Sequence, residues 1–192
     1  MSFTRVFTGL VAAVLLFGVS PAGAASSPRF VGDTGVPLDA PYVPTPQPIV
    51  DAMLTAAKVA AGDIVYDLGS GDGRLVISAV RDFGATKGVG VDIDPVRNKE
   101  ANANAKSAGV ADRTTFVEKD VFRFDFSEAS VVTIYLLPEM LQKLEPTLAA
   151  MKPGTRIVCH DFSVPGWEPE KTEKIGTSVI YAYTLPAKKA AK

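Results

Sequence analysis

Beyond residue 63 the chain alternates between two hydrophobic rhythms. Residues 64–68, 88–93, 114–117, 131–137 and 155–162 are short apolar runs of strand length. Between them, residues 74–83 carry Leu75, Val76, Ala79, Val80 and Phe83 at helical spacing. Residues 95–108 and 138–151 each open on a proline, which suits a first helical position. The Asn, Ala and Lys content of the former predicts an exposed helix, and Pro146 is a point of disturbance in the latter. A first amphipathic helix is predicted by Ile49, Val50, Met53, Leu54 and Ala57, with Gly62 and Asp63 as its stop. Two late segments, 171–175 and 179–185, are expected to pair around Gly176. Such alternation predicts one α/β domain, Rossmann-like and doubly wound, with a mostly parallel sheet and helices on both faces. No internal repeat and no second domain is evident in the 192 residues.

The amino terminus follows another pattern. Arg5 precedes an apolar run from Val6 to Val19, and Pro21-Ala22-Gly23-Ala24 ends it with small residues. A charged start, a short apolar run and an A-x-A ending predict a secretory signal peptide over 1–24. The run is about 14 residues, short of the ~20 that span a bilayer. An uncleaved anchor is the alternative; either way the domain is expected outside the cytoplasmic membrane, periplasmic or secreted, with no membrane span in the mature chain. Residues 25–41 form an extended leader, and 42–48 (YVPTPQP) are too rich in proline for a helix interior. The tail 187–192 is basic and small.

Charge and composition narrow the partners. The net charge is -1, so no basic excess points to nucleic acid. The single cysteine, Cys159, excludes an intramolecular disulfide and lies in an apolar run, as a small core residue would. One His and one Cys cannot make a typical structural zinc site, so no metal is expected. Ser70 lacks the G-x-S-x-G frame of a nucleophile elbow because residue 68 is leucine.

The most informative segment is Asp67-Leu68-Gly69-Ser70-Gly71-Asp72-Gly73-Arg74, a strand end, a glycine-rich turn and a helix start. Gly69, Gly71 and Gly73 let the backbone turn tightly and approach a ligand. The spacing is G-x-G-x-G, with Arg74 where a dinucleotide fingerprint has its third glycine. Asp67 and Asp72 would repel a pyrophosphate, whereas a ligand carrying an ammonium and a sulfonium would gain from them. Asp92 closes the second strand 19 residues after Gly73 and can accept both ribose hydroxyls. Asp94, just before Pro95, reads instead as a helix cap. Asp120 follows the third strand, where it can accept from an adenine amino group while Val121 and Phe122 pack on the ring.

In this order the three pieces resemble class I S-adenosylmethionine-dependent methyltransferases over residues 42–185. A closer likeness is to small bacterial exported members and to the mitochondrial membrane-anchored protein-lysine methyltransferases. It rests on Tyr42-Val43-Pro44, the Asp67 to Arg74 loop and Trp167-Glu168-Pro169. The resemblance implies a seven-stranded sheet with an antiparallel C-terminal strand, spanning a domain at 42–186. It implies S-adenosylmethionine as cofactor and a 42–47 segment, with Tyr42, that caps it. Cofactor contacts are then expected from Tyr42, Asp67, Gly69, Ser70, Gly71, Gly73, Asp92, Asp120 and Val121. The chain departs from that likeness at Tyr135-Leu136-Leu137-Pro138 and His160-Asp161-Phe162. Both stretches end strands where open α/β sheets bind ligands. Tyr135, to orient a nucleophile, and Asp161, to attract a cationic amine, are therefore the candidate acceptor-side residues.

The expected activity is methyl transfer to an amine, such as protein lysine, or to a small-molecule acceptor, by a monomer. The alternative is an exported, non-catalytic module that keeps the nucleoside-binding fold; a nicotinamide oxidoreductase ranks behind both. Export and a cytoplasmically made cofactor stand in tension. They rest on different residues, and both expectations are kept.

Overall fold

The computed structural model describes residues 30–32 and 35–186. The expected signal segment 1–24, residues 25–29 and 33–34 of the expected leader, and the tail 187–192 lie outside the described residues. The chain enters through a two-residue ribbon, β1 (Phe30–Val31) against β2 (Pro37–Leu38), then α1 (Gln47–Ala56). There follow β3 (Ile64–Leu68), α2 (Arg74–Arg81), β4 (Lys87–Asp92), α3 (Pro95–Ser107) and β5 (Thr114–Glu118). The second half is β6 (Val131–Ile134), α4 (Pro138–Ala149), β7 (Arg156–His160), β8 (Lys171–Ile175) and β9 (Ser178–Thr184).

Seven strands form one sheet in the order β5-β4-β3-β6-β7-β9-β8. Strands β3 to β7 pair in parallel, and β9 runs antiparallel to both β7 and β8. The expected parallel sheet with a reversed last strand is thus the observed one. Connections run outward from β3 to one edge and then to the other, so the order reverses between β3 and β6. That switch point opens a crevice at the carboxyl ends of these strands.

Side-chain alternation divides the core in two. Tyr66, Leu68, Val132, Ile134, Ile157 and Cys159 join Leu141, Leu144 and Leu148 of α4 on one face. Val65, Val131, Val158 and Ile180 meet Val50, Met53 and Leu54 of α1 and Leu75 and Val80 of α2 on the other. Cys159 is fully buried, and burial pushes its thiol up to about 12, so it is a packing residue. Helix α4 continues through Pro146, because its three buried leucines hold it on the sheet despite the lost backbone donor. No helix among the described residues is long and apolar enough to cross a membrane.

Most element ends differ from the sequence expectation by one or two residues; the two largest differences at strand ends both lie at the crevice. Strand β6 stops at Ile134 rather than 137. Its register ends against Leu68 and Cys159, and beyond Leu68 the chain turns away at Gly69, so 135–137 have no ladder to join. Strand β7 stops at His160 because Asp161 takes a left-handed backbone, φ 59.

Gly73 caps α2 at φ 81, and a Cβ there would lie 2.6 Å from Phe116 Cζ and 2.9 Å from Ala101 Cβ. Gly62 is also left-handed, φ 94, but has open space around it. Gly62→Ala should cost about 1 kcal/mol of backbone strain. Gly73→Ala should cost a further ~1–3 kcal/mol, because the methyl also overpacks the helix–sheet contact. Urea denaturation midpoints of the two variants measure the difference.

Candidate active site

The glycine loop is held down by the strand beside it. Gly69 and Ser70 both donate their backbone N–H to Val91 O, at 2.8 and 3.1 Å. Gly71 N donates to Asp92 Oδ2 at 2.8 Å, and Asp94 N donates to Asp92 Oδ1 at 2.9 Å. Asp92 therefore clamps the loop while its remaining lone pairs face the crevice. Burial raises its pKa, and the backbone donors of Asp94 and Gly71 oppose the rise. Asp94 behaves as the cap the sequence suggests: Oδ1 accepts from Val96 N at 2.8 Å.

Asp67 lies at the base of the same loop. It is 2% exposed, and Thr133, its neighbour across the ladder, donates to Oδ1 at 2.7 Å. Burial pushes its pKa up to about 7; Thr133 opposes this, and the Asp92 and Asp72 charges add to it. No cation pairs with it among the described side chains, so a positive ligand group is the partner its ionised form lacks.

Asp72 differs from the sequence expectation. Arg74 holds it in a fork, Nε to Oδ1 at 2.9 Å and Nη2 to Oδ2 at 2.6 Å. Burial raises the Asp72 pKa, but Arg74 outweighs it and leaves the carboxyl below its ordinary range. Its charge is already matched, so it offers a cationic ligand little. Its role is to aim Arg74, whose Nη1 donates to Thr45 O at 2.8 Å. That bond straps residues 42–45 across the loop. The Tyr42 ring covers Gly71, where a Cβ would sit 2.5 Å from Tyr42 Cε2, and the Arg97 guanidinium lies 4.5 Å over the ring centroid.

Under the strap lies a cavity of about 270 Å³. Tyr42, Asp67, Gly69, Ser70, Gly71, Asp92, Asp120, Val121 and Tyr135 all line it. Asp120 is partly engaged, since Oδ1 accepts from Phe122 N at 2.9 Å. Gly73 is not among the residues lining the cavity; it packs under Phe116. Asp161 also stands outside the lining but touches a residue within it: Tyr135 Oη donates to Asp161 Oδ2 at 3.2 Å. Burial, then the Asp161 charge, raises the Tyr135 pKa, so the phenol stays protonated. Around Tyr135 the wall is apolar, with Leu136, Leu137, Met140 and Phe162.

Thr45 lies in the 42–47 segment expected to cap the cofactor, whereas Arg74 and Arg97 belong to the site without having been assigned a contact there. Only the proline-rich lead-in hints at a strap, and neither arginine follows a recognisable spacing rule. The residues present fit a cationic nucleoside cofactor. A buried acid, Asp67, and a half-buried one, Asp92, face a glycine cradle without a cationic partner among the described residues, and Ser70 Oγ is buried without a hydrogen-bond partner among them.

Comparison with known proteins agrees with this geometry. The profile of a family described as "ANTKMT methyltransferase domain" matches residues 67–171. The chain is 45% identical over 150 residues to a protein-lysine N-methyltransferase of Saccharolobus islandicus (strain REY15A), covering 76% of this chain and 93% of that one. It is 33% identical over 149 residues to an adenine nucleotide translocase lysine N-methyltransferase of Mus musculus, covering 77% of this chain and 64% of that one. A crystal structure described as an RNA methyltransferase from Salinibacter ruber, in complex with S-adenosyl-L-homocysteine, is similar at TM-score 0.74 and 50% identity. It covers 78% of this chain and 98% of that one.

Asp67 generates a pH prediction. Its folded pKa, about 7, lies above the unfolded ~3.9. Between those values the native state binds the extra proton, so its contribution to stability falls as pH rises through 4–7. Asp67→Asn should flatten that slope, read from urea denaturation of the ligand-free protein at pH 5 to 8.

Proposed function

The chain belongs to the ANTKMT methyltransferase-domain family, and from that premise we propose that it methylates the ε-amine of protein lysine with S-adenosylmethionine. The observation that carries the reading is one continuous cavity. It has unpaired acids and a glycine cradle at one end and an apolar wall broken by Tyr135 at the other.

The cofactor, when bound, supplies an electrophilic methyl group on a sulfonium. This chain's part is alignment and exclusion of water. Asp92 offers its free lone pairs to the ribose hydroxyls. Ionised Asp67 balances the cofactor's positive amino-acid end. Asp120 takes the adenine amino group, and Val121 packs on the ring. The strap, through Tyr42 and Thr45, shields the cofactor from solvent. The aliphatic stem of lysine matches Leu136, Leu137, Met140 and Phe162. Tyr135 donates to Asp161, so its oxygen lone pairs can accept from the incoming amine and orient it. Asp161 draws the cationic form toward the mouth.

The similar proteins differ in acceptor, protein lysine for one and RNA for another. Lysine is favoured because the chain has a net charge of -1, without the basic excess that phosphate backbones attract. The signal-like segment 1–24 supports export, with the cofactor acquired before or after crossing; fractionation of a tagged full-length chain tests that location.

Asp92→Ala should weaken S-adenosylhomocysteine binding by about 10- to 100-fold, measured by calorimetry, as loss of hydrogen bonds to a charged group implies. Tyr135→Phe should leave that affinity within about threefold and lower turnover by about 10- to 100-fold, as expected for a group that positions or polarises the acceptor. The acceptor is tested with tritiated S-adenosylmethionine and cell-envelope extract. Label lost to protease and retained after nuclease is expected. Label lost to nuclease instead supports RNA, and tight binding with no transfer supports the non-catalytic module.

A further inference from the structure

His160 is the chain's single histidine, 2% exposed, and it does not line the cavity. Its ring nevertheless touches both ends of it. Nδ1 lies 3.3 Å from Thr45 Oγ1, the residue whose carbonyl Arg74 straps across the glycine loop. The ring stacks on Tyr135, with centroids 4.0 Å apart and planes at 38°. Nε2 lies 3.0 Å from Ser178 Oγ, at the start of β9, and 3.5 Å from Asp161 Oδ2. Asp161 is itself fixed: its left-handed backbone N–H donates to Val179 O at 2.7 Å, and its Oδ1 accepts from Val179 N at 2.9 Å.

These contacts select one tautomer. A proton on Nε2 faces the Asp161 carboxylate and the Ser178 oxygen, both of which can accept it. Nδ1 is then a free acceptor, and the Thr45 hydroxyl donates to it. The opposite tautomer would turn a lone pair toward the carboxylate, which repels it. An unbroken chain of contacts results. It runs from Asp72 through Arg74 to Thr45, then through the imidazole to Tyr135 and Asp161.

We infer that His160 is a positioning residue that couples the strap over the cofactor end to the Tyr135/Asp161 pair at the acceptor end. When the strap settles on bound cofactor, Thr45 sets the tilt of the imidazole, and the imidazole sets the ring of Tyr135 stacked against it. An acceptor amine is thus oriented only once the cofactor is covered. The inference rests on the proposed reading of the cavity as an S-adenosylmethionine site.

The test uses the full chain without a tag and S-adenosylhomocysteine as the probe. With one histidine in the sequence, the imidazole Cε1–H resonance is unambiguous in a ¹H–¹³C spectrum. Saturation of the wild type with S-adenosylhomocysteine should shift that resonance. Thr45→Val keeps the shape and removes the hydroxyl. It should weaken binding by about 3- to 10-fold, as one lost hydrogen bond implies, and leave the resonance unmoved on saturation. His160→Asn, whose amide oxygen can take the Thr45 proton, should bind more tightly than His160→Ala. A wild type that binds with a silent imidazole, or a Thr45→Val chain with undiminished affinity and a normal shift, overturns the coupling and spares the cofactor reading. A wild type that binds no S-adenosylhomocysteine overturns both.

Discussion

The bond between Gly71 N and Asp92 Oδ2 is the constraint from which the site follows. A glycine loop has high conformational entropy, and without an anchor it would sample many shapes. Asp92 stands at the end of the neighbouring strand, where the parallel register puts β4 beside β3. By accepting from the loop and from Asp94 together, it converts a flexible turn into a cradle of defined curvature. The same carboxylate is then presented to the crevice with capacity to spare. Structure and binding depend on one side chain.

Charge balance decides the roles of the surrounding acids. Asp72 looks equivalent to Asp67 in the sequence, yet the two occupy opposite electrostatic states. Arg74 matches the charge of Asp72 and is thereby aimed at the strap. Asp67 is buried with Thr133 as its one side-chain donor among the described residues, so its ionised form is costly until a cation arrives. The site thus stores an unpaired acid at its base and keeps its rim neutral. At that base a phosphate would meet unfavourable charge, and a cationic nucleoside the reverse.

Most of the architecture is legible in the chain because it depends on short-range periodicity. The boundary of β3, the proline-led starts of α3 and α4, and the hairpin around Gly176 follow from apolar spacing and backbone punctuation. The two strand ends that differ most from expectation, after Ile134 and His160, share one ambiguity. An apolar residue can serve a ladder or a cavity wall, and the choice depends on whether a partner strand continues beside it. Gly73 shows a similar ambiguity: a glycine that admits a ligand and one that admits a phenyl ring read alike.

The sequence by itself determined the doubly wound fold, the glycine loop, Asp92 as the strand-end acid and Asp94 as the cap. Each is set by residues close in the chain, acting through spacing, backbone freedom and local hydrogen bonds. Only the tertiary structure decided which acids are paired, that Thr45 meets a histidine 115 positions away, and that Asp161 reaches the cavity through Tyr135. Those outcomes depend on contacts between distant segments. Charge compensation and burial arise from such contacts and have no local signature in the chain.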